Sequence, residues 1–221
     1  LLDIIRRKPS NVARKPIFFH FSTDEVYGDI VEGSHTEESP LAPSNPYSAS
    51  KASSDMLIKA WARTYGIDYL ILRPTNNYGT YQYPEKLIPL VVKLLQQGRK
   101  FRLHNEGEPY RNWLHASDTA NAVIKIIESG IVNEIFNVAG GFEQKNYDTV
   151  CKIVNSYYNG RHDKKYAGCN DLLDLSYERE GQDVRYAVDD AKLRNLGWEP
   201  EKSFDQEIDH IVEHFKDHFR W

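Results

Sequence analysis

Two short apolar runs, set on either side of one helix-length segment, limit what this chain can fold into. Ile17–Phe21 (Ile-Phe-Phe-His-Phe) and Tyr69–Leu72 (Tyr-Leu-Ile-Leu) are too short for core helices and read as buried parallel strands. Between them, Tyr47–Tyr65 carries Met56, Leu57, Ala60 and Trp61 at helical spacing, with Asn45-Pro46 at its start and Gly66 as its stop. Strand, helix and strand in that order predict a parallel α/β unit with a right-handed crossover. Asp29–Pro46 shows no periodicity and reads as a loop. Farther on, helices are expected over Pro84–Gln97, from Ser117 to about Ser129, and over Tyr147–Tyr158, Asp189–Leu196 and Ser203–Phe219. Phe101–His104 and Glu134–Val138 read as further strands.

The chain has 221 residues, 40% hydrophobic and 27% charged, enough for one sizeable domain or two small ones. A net charge of −4 supplies no field that would gather nucleic acid or an anionic membrane, and neither is expected as a partner. No stretch approaches the roughly 18 uncharged apolar residues of a membrane span. Cys151 and Cys169 suit a reducing, cytoplasmic setting and are expected as free thiols. Leu1, Leu2, Ile4 and Ile5 read as the last turns of a helix, so the sequence is expected to begin inside a longer protein. No G-x-G-x-x-G dinucleotide fingerprint occurs, which agrees with that expectation.

The chemistry concentrates just beyond the first strand. Ser22-Thr23-Asp24-Glu25-Val26-Tyr27-Gly28 puts a hydroxyl and two carboxyls where α/β enzymes place their reacting groups. Two neighbouring acids can hold different protonation states, one giving a proton while the other takes one. Tyr47 and Lys51 stand at i and i+4 and share a helix face. An ammonium there is expected to lower the phenol's pKa and make it a base. His210, His214 and His218 lie at i, i+4 and i+8 on the last helix, but with Ile211, Val212 and Phe215 beside them they read as a polar flank; no metal is expected.

On these residues the chain resembles the nucleotide-sugar 4,6-dehydratases of the extended short-chain dehydrogenase family. Arg73-Pro74-Thr75-Asn76-Asn77-Tyr78-Gly79, the segment Tyr81–Pro89 and Tyr110-Arg111-Asn112-Trp113-Leu114 extend the resemblance along most of the sequence. It implies an α/β fold, a partial Rossmann-type doubly wound parallel sheet with a smaller C-terminal α/β substrate-binding domain. Residues 1–77, with 113–136 returning to them, would form the NAD-binding part, and 78–112 with 137–221 the nucleotide-sugar part.

The resemblance makes Asp24 the general acid, Glu25 the base at carbon 5, Thr23 a hydrogen-bond donor to the 4-oxygen, and Tyr47 with Lys51 the oxidising pair. NAD would be held by Ser22, Tyr47, Lys51 and Asn76. A nucleoside-diphosphate sugar would be held by Asn77, Glu85, Lys86, Leu87, Arg111, Asn137, Arg179 and Gln182, the arginines forking onto the diphosphate. Thr80, Glu180 and Gln182 depart from the family pattern. A homodimer through the Tyr47–Tyr65 helix is also implied. Two alternatives stay open: a 4-epimerase or decarboxylase of the same fold, and a sugar-nucleotide-binding module without catalysis. The choice of uridine or thymidine stays open too.

Overall fold

A computed structural model of the chain describes residues 1–7, 16–158, 169–178 and 183–218. Its first elements are α1 (Leu2–Arg6), β1 (Phe18–Phe21), α2 (Pro46–Tyr65), β2 (Tyr69–Pro74) and β3 (Asn76–Tyr78). There follow α3 (Leu87–Gln96), β4 (Phe101–Arg102), β5 (Tyr110–His115), α4 (Ala116–Glu128) and β6 (Glu134–Val138). The last are β7 (Glu143–Lys145), α5 (Asn146–Tyr157), β8 (Leu173–Asp174), α6 (Ala191–Arg194) and α7 (Phe204–His218). They divide into two units. One is Leu1–Thr75, Thr119–Ala139 and Tyr186–Glu199; the other is Asn76–Asp118, Gly140–Arg185 and Pro200–Trp221.

In the first unit the strands run β1-β2-β6, all parallel, with Phe18 opposite Tyr69 and Leu70 opposite Glu134. β2 lies between two strands and is buried from Tyr69 to Arg73, as its unbroken apolar sequence predicts. Among the described residues β1 pairs with β2 alone, and Ile17 and Phe21 remain 44% and 49% exposed where a fully buried strand was expected. The helix α2 also differs from expectation. Its buried residues are Ser48, Ala52, Asp55 and Ile58, while Met56 and Leu57 face outward at 58% and 57% exposure. A helix wheel fixes which residues share a face but not which face turns inward. Gly66 ends α2 in the left-handed region at φ 63°, where a side chain would be strained.

The stretch 186–199, expected in the substrate domain, belongs to the first unit. His35 bridges Val188, and the Asp189 amide donates to the His35 carbonyl at 2.8 Å. Lys192 then donates to Glu134 and to the Ile135 carbonyl on β6. The expected helix over Asp189–Leu196 contracts to the single turn of α6.

In the second unit β3 and β5 are parallel, β5 and β7 antiparallel, and β4 and β8 a short parallel pair. α3, α5 and α7 enclose one core, with Ile88, Val91, Ile153, Ile211 and Val212 fully buried. β5 was not expected as a strand, because Tyr-Arg-Asn-Trp-Leu-His has no long apolar run. Its pairing on both edges supplies what its side chains do not. Cys151 on α5 and Cys169 form a disulfide with Cα atoms 5.5 Å apart, in place of the expected free thiols. The compartment argument carried no information on distance, and the chain folds these two segments side by side. Among the described residues, no helix is long and apolar enough to cross a membrane.

Candidate active site

The polar run after β1 is organised by its own hydrogen bonds. The Ser22 amide donates to the Leu72 carbonyl at 2.7 Å, which carries the β1–β2 ladder one residue past the strand. Thr23 then caps a single 3-10 turn over Asp24–Tyr27. Its hydroxyl accepts from the Glu25 amide at 3.4 Å and donates to an Asp24 carboxylate oxygen at 3.1 Å. Val26 and Tyr27, both essentially without exposure, pull the turn inward against Ala52, Ala139 and Val188. Asp24 is thereby buried and Glu25 half-buried. Gly28 closes the turn at φ 85°, and a Cβ there would sit 2.3 Å from the Ala42 carbonyl oxygen. No other residue fits that position.

The other half of the catalytic set begins at Asn45. Its carboxamide oxygen accepts from the Ser48 amide at 2.9 Å, and the Asn45 amide donates to the Ser48 hydroxyl, a capping box ahead of Pro46. The same side chain donates from Nδ2 to Glu25 Oε2 at 3.4 Å. One asparagine therefore both starts the helix that carries Tyr47 and Lys51 and holds the carboxylate expected to act as base.

Burial raises the Tyr47 phenol above its usual range, and the charges of Glu25 and then Asp24 push it the same way. Both acids thus lie within electrostatic reach of the phenol. The expected lowering by Lys51 is not found. Its ammonium donates to the Phe21 carbonyl, so the charges acting on the phenol are negative and ionisation is disfavoured. Beside that carbonyl, the Ser22 hydroxyl is buried with no hydrogen-bond partner. A buried, unpaired hydroxyl one residue from the carbonyl that Lys51 meets is suited to receive a polar ligand.

The remaining expected residues divide between the units. Asn137, expected to touch sugar or phosphate, is fully buried in the first unit with its amide in use. Oδ1 accepts from the Tyr27 hydroxyl at 2.8 Å, and Nδ2 donates to the His35 and Asp189 carbonyls at 3.1 Å each. These bonds tie Asn137 to the scaffold and leave Oδ1 with a second acceptor site.

In the second unit, Arg111 is half-buried and donates to the Tyr110 carbonyl and, from both terminal nitrogens, to the Asp183 carbonyl. Asn76 and Asn77 sit half-buried on β3, and the Asn77 carbonyl accepts from Gln82. Glu85 and Lys86 pair at 3.3 Å on the surface before α3, and Leu87 turns onto the core. Arg179 and Gln182 lie outside the described residues. Sequence reasoning missed Asn45, Tyr27, Asp55 and Arg73. Asn45 had a readable signal, an asparagine directly before proline at a helix start. The other three are polar residues whose burial only the fold reveals.

With this geometry in hand, the comparisons with known proteins are informative. The sequence profile of the family described as GDP-mannose 4,6 dehydratase matches residues 1–211. A dTDP-glucose 4,6-dehydratase of Neisseria meningitidis serogroup B is 41% identical over 210 residues, covering 92% of this chain and 59% of the relative. The crystal structure of a dTDP-glucose 4,6-dehydratase of Bacillus anthracis in complex with NAD superposes with a TM-score of 0.84 at 37% identity. It covers 98% of this chain and 65% of that one. A UDP-glucuronic acid 4-epimerase of Bacillus cereus reaches a TM-score of 0.85 at 20% identity, a likeness of fold alone. The chain spans about 59% of the length of the curated relative it matches.

Proposed function

From the finding that the chain belongs to the GDP-mannose 4,6-dehydratase family, we propose that the protein converts dTDP-glucose to its 4-keto-6-deoxy derivative. The observation that carries this reading is the pair of carboxyls at 24 and 25 acting on the Tyr47 phenol, with Glu25 tied to the cap of Tyr47's own helix. A 4-epimerase needs the phenol and the ammonium but has no use for an acid and a base beside them. The names of the relatives favour dTDP-glucose over UDP-glucose.

NAD is the cofactor this reading requires, and in this unit Ser22, Tyr47 and Lys51 would hold it; the unpartnered Ser22 hydroxyl supports that assignment. Held there, NAD+ would supply the hydride acceptor for oxidation at carbon 4 and the hydride donor for reduction at carbon 6. The chain's own residues do the rest. Tyr47 in its phenolate form accepts the proton of the 4-hydroxyl, and the Lys51 ammonium one turn along α2 is assigned to offset the two acids that oppose that form. Thr23 hydrogen-bonds the 4-oxygen. The ketone acidifies the neighbouring carbon, Glu25 removes the proton at carbon 5, Asp24 protonates the departing 6-hydroxyl, and Glu25, after exchange with solvent, returns a proton to carbon 5 when carbon 6 is reduced. In the second unit Arg111, with Arg179, is assigned to the diphosphate as a planar donor. Asn76 is assigned to NAD, and Asn77, Glu85, Lys86, Leu87, Asn137 and Gln182 complete the proposed nucleotide-sugar set.

A homodimer through α2 is part of the proposal, supported by the outward-facing Met56 and Leu57. The cytoplasm, where NAD and activated sugars meet, is the setting proposed. The test is Glu25→Gln in the full-length protein with dTDP-glucose, read by the alkaline chromophore of the 4-keto sugar. Wild type should give the chromophore and the variant should lose it while still reducing bound cofactor. Normal turnover in the variant would contradict the assigned roles.

A further inference from the structure

We propose that Tyr27 is a positioning residue for Asp24 and Glu25, held by a buried clamp of Arg73, Asp55 and Asn137 that fixes the acids relative to Tyr47. The inference rests on the dehydratase reading given above.

Tyr27 is the last residue of the turn that carries both acids, and it is 1% exposed. Its hydroxyl is met from two sides. Arg73 donates to it from a terminal nitrogen at 2.6 Å, and it donates to Asn137 Oδ1 at 2.8 Å. Its ring is gripped as well: His35 stacks on it with centroids 5.1 Å apart, and the Arg73 guanidinium carbon lies 4.7 Å from the ring centre. Arg73, near the end of β2, turns its other two nitrogens to one oxygen of Asp55, Nε and the second terminal nitrogen at 3.0 Å each.

Asp55 lies on α2, four residues after Lys51 and eight after Tyr47, on the same side of the helix. The connection therefore runs from the acids through Tyr27, Arg73 and Asp55 to the helix of the oxidising pair, without leaving the first unit.

Stability alone is a poor reason for this arrangement. Two charges taken fully out of water are costly, and apolar residues of the same volume commonly stabilise a core as well. What an ion pair with a forked donor adds is direction, since the guanidinium is planar and its three nitrogens are aimed at two fixed partners, Asp55 and Tyr27. Tyrosine at 27 differs from phenylalanine only in the oxygen that links the clamp to the turn. A phenylalanine there would leave an Arg73 donor and the Asn137 oxygen unmet inside the protein.

The test uses Tyr27→Phe in the full-length protein. Amide exchange is measured first, without substrate: exchange at residues 24–28 should accelerate about tenfold while α2 keeps its protection. Single turnover with dTDP-glucose is followed next, by the absorbance of reduced nicotinamide and by 4-keto product. Oxidation should stay near the wild-type rate and elimination slow by about a hundredfold, so that reduced cofactor accumulates. Should the variant lose protection throughout the chain, Asp55→Asn tests the clamp from its other end, with the same accumulation expected.

A wild type that makes no 4-keto product sinks the functional reading and this proposal with it. A working wild type overturns the positioning role alone if the two rates fall in parallel or exchange over 24–28 is unchanged.

Discussion

At residue scale, Asn45 concentrates two jobs in one side chain. As the cap of α2 it satisfies the Ser48 amide, and as a donor it fixes Glu25. Asn45→Ala should therefore cost about 1 kcal/mol as a lost cap, which is about 2–4 °C in Tm for a chain of this size. If the contact to Glu25 matters, kcat should fall by more than that loss implies, about tenfold or beyond. Melting and steady-state turnover on the same preparation separate the two. An unchanged kcat with a lowered Tm would reduce Asn45 to a cap. Tyr47 makes a related point: its phenol is raised by burial and by the two acids, so the local charges oppose the ionisation that Lys51 was expected to promote. The residue types were legible in the sequence, but the charge balance was not, because it depends on where Lys51 places its ammonium.

At the scale of elements, α2 presents an inward face of Ser48, Ala52, Asp55 and Ile58 and an outward face with Met56 and Leu57. On the proposed dimer through α2, the wild-type protein should sediment as a dimer and Leu57→Arg as a folded monomer; a monomeric wild type, or a variant that stays dimeric, would contradict that interface. The disulfide between α5 and the turn at 169–172 makes a second element-scale prediction. Thiol titration of the unfolded, unreduced chain should find no free cysteine, and two after reduction. Two free thiols before reduction would remove the cross-link.

The β1–α2–β2 succession could be read from sequence because each element carries its own local signal: an apolar run, a capped helix, a stopping glycine. The clamp could not, since Tyr27 and Asn137 meet across 110 residues and Arg73 and Asp55 look like surface charges in a linear string. β5 was missed for the same reason, its strand character coming from neighbours on both edges.

For the molecule as a whole, four histidines share one direction of shift. His20, His35, His115 and His214 all lie below the ordinary 6.5, with burial the largest cause in each case. The unfolded chain takes up these protons near 6.5 while the folded chain holds them off to lower pH. Between those values the unfolded state binds more protons, so stability falls as pH drops below about 6.5. Asp174 and Glu207 are lowered by hydrogen bonds from Ser176 and Lys202, and their contribution is lost in a separate, more acidic window. Thermal melts should show Tm declining from about pH 7 to about pH 5.5, ahead of the carboxylate range; a flat profile there would contradict the lowered histidines.

The two units each hold part of the expected apparatus, the acids and the oxidising pair in one, Arg111 and the substrate segment in the other. In the proposed reaction an acid and a base at 24 and 25 work on the same sugar that Tyr47 oxidises. Turnover of dTDP-glucose by the full-length protein in deuterated water, with the product examined by NMR, tests it most directly. Removal of the carbon 5 proton by Glu25 predicts a 4-keto-6-deoxy product carrying solvent deuterium at carbon 5. An epimerised hexose with no deuterium on its ring carbons would contradict the account.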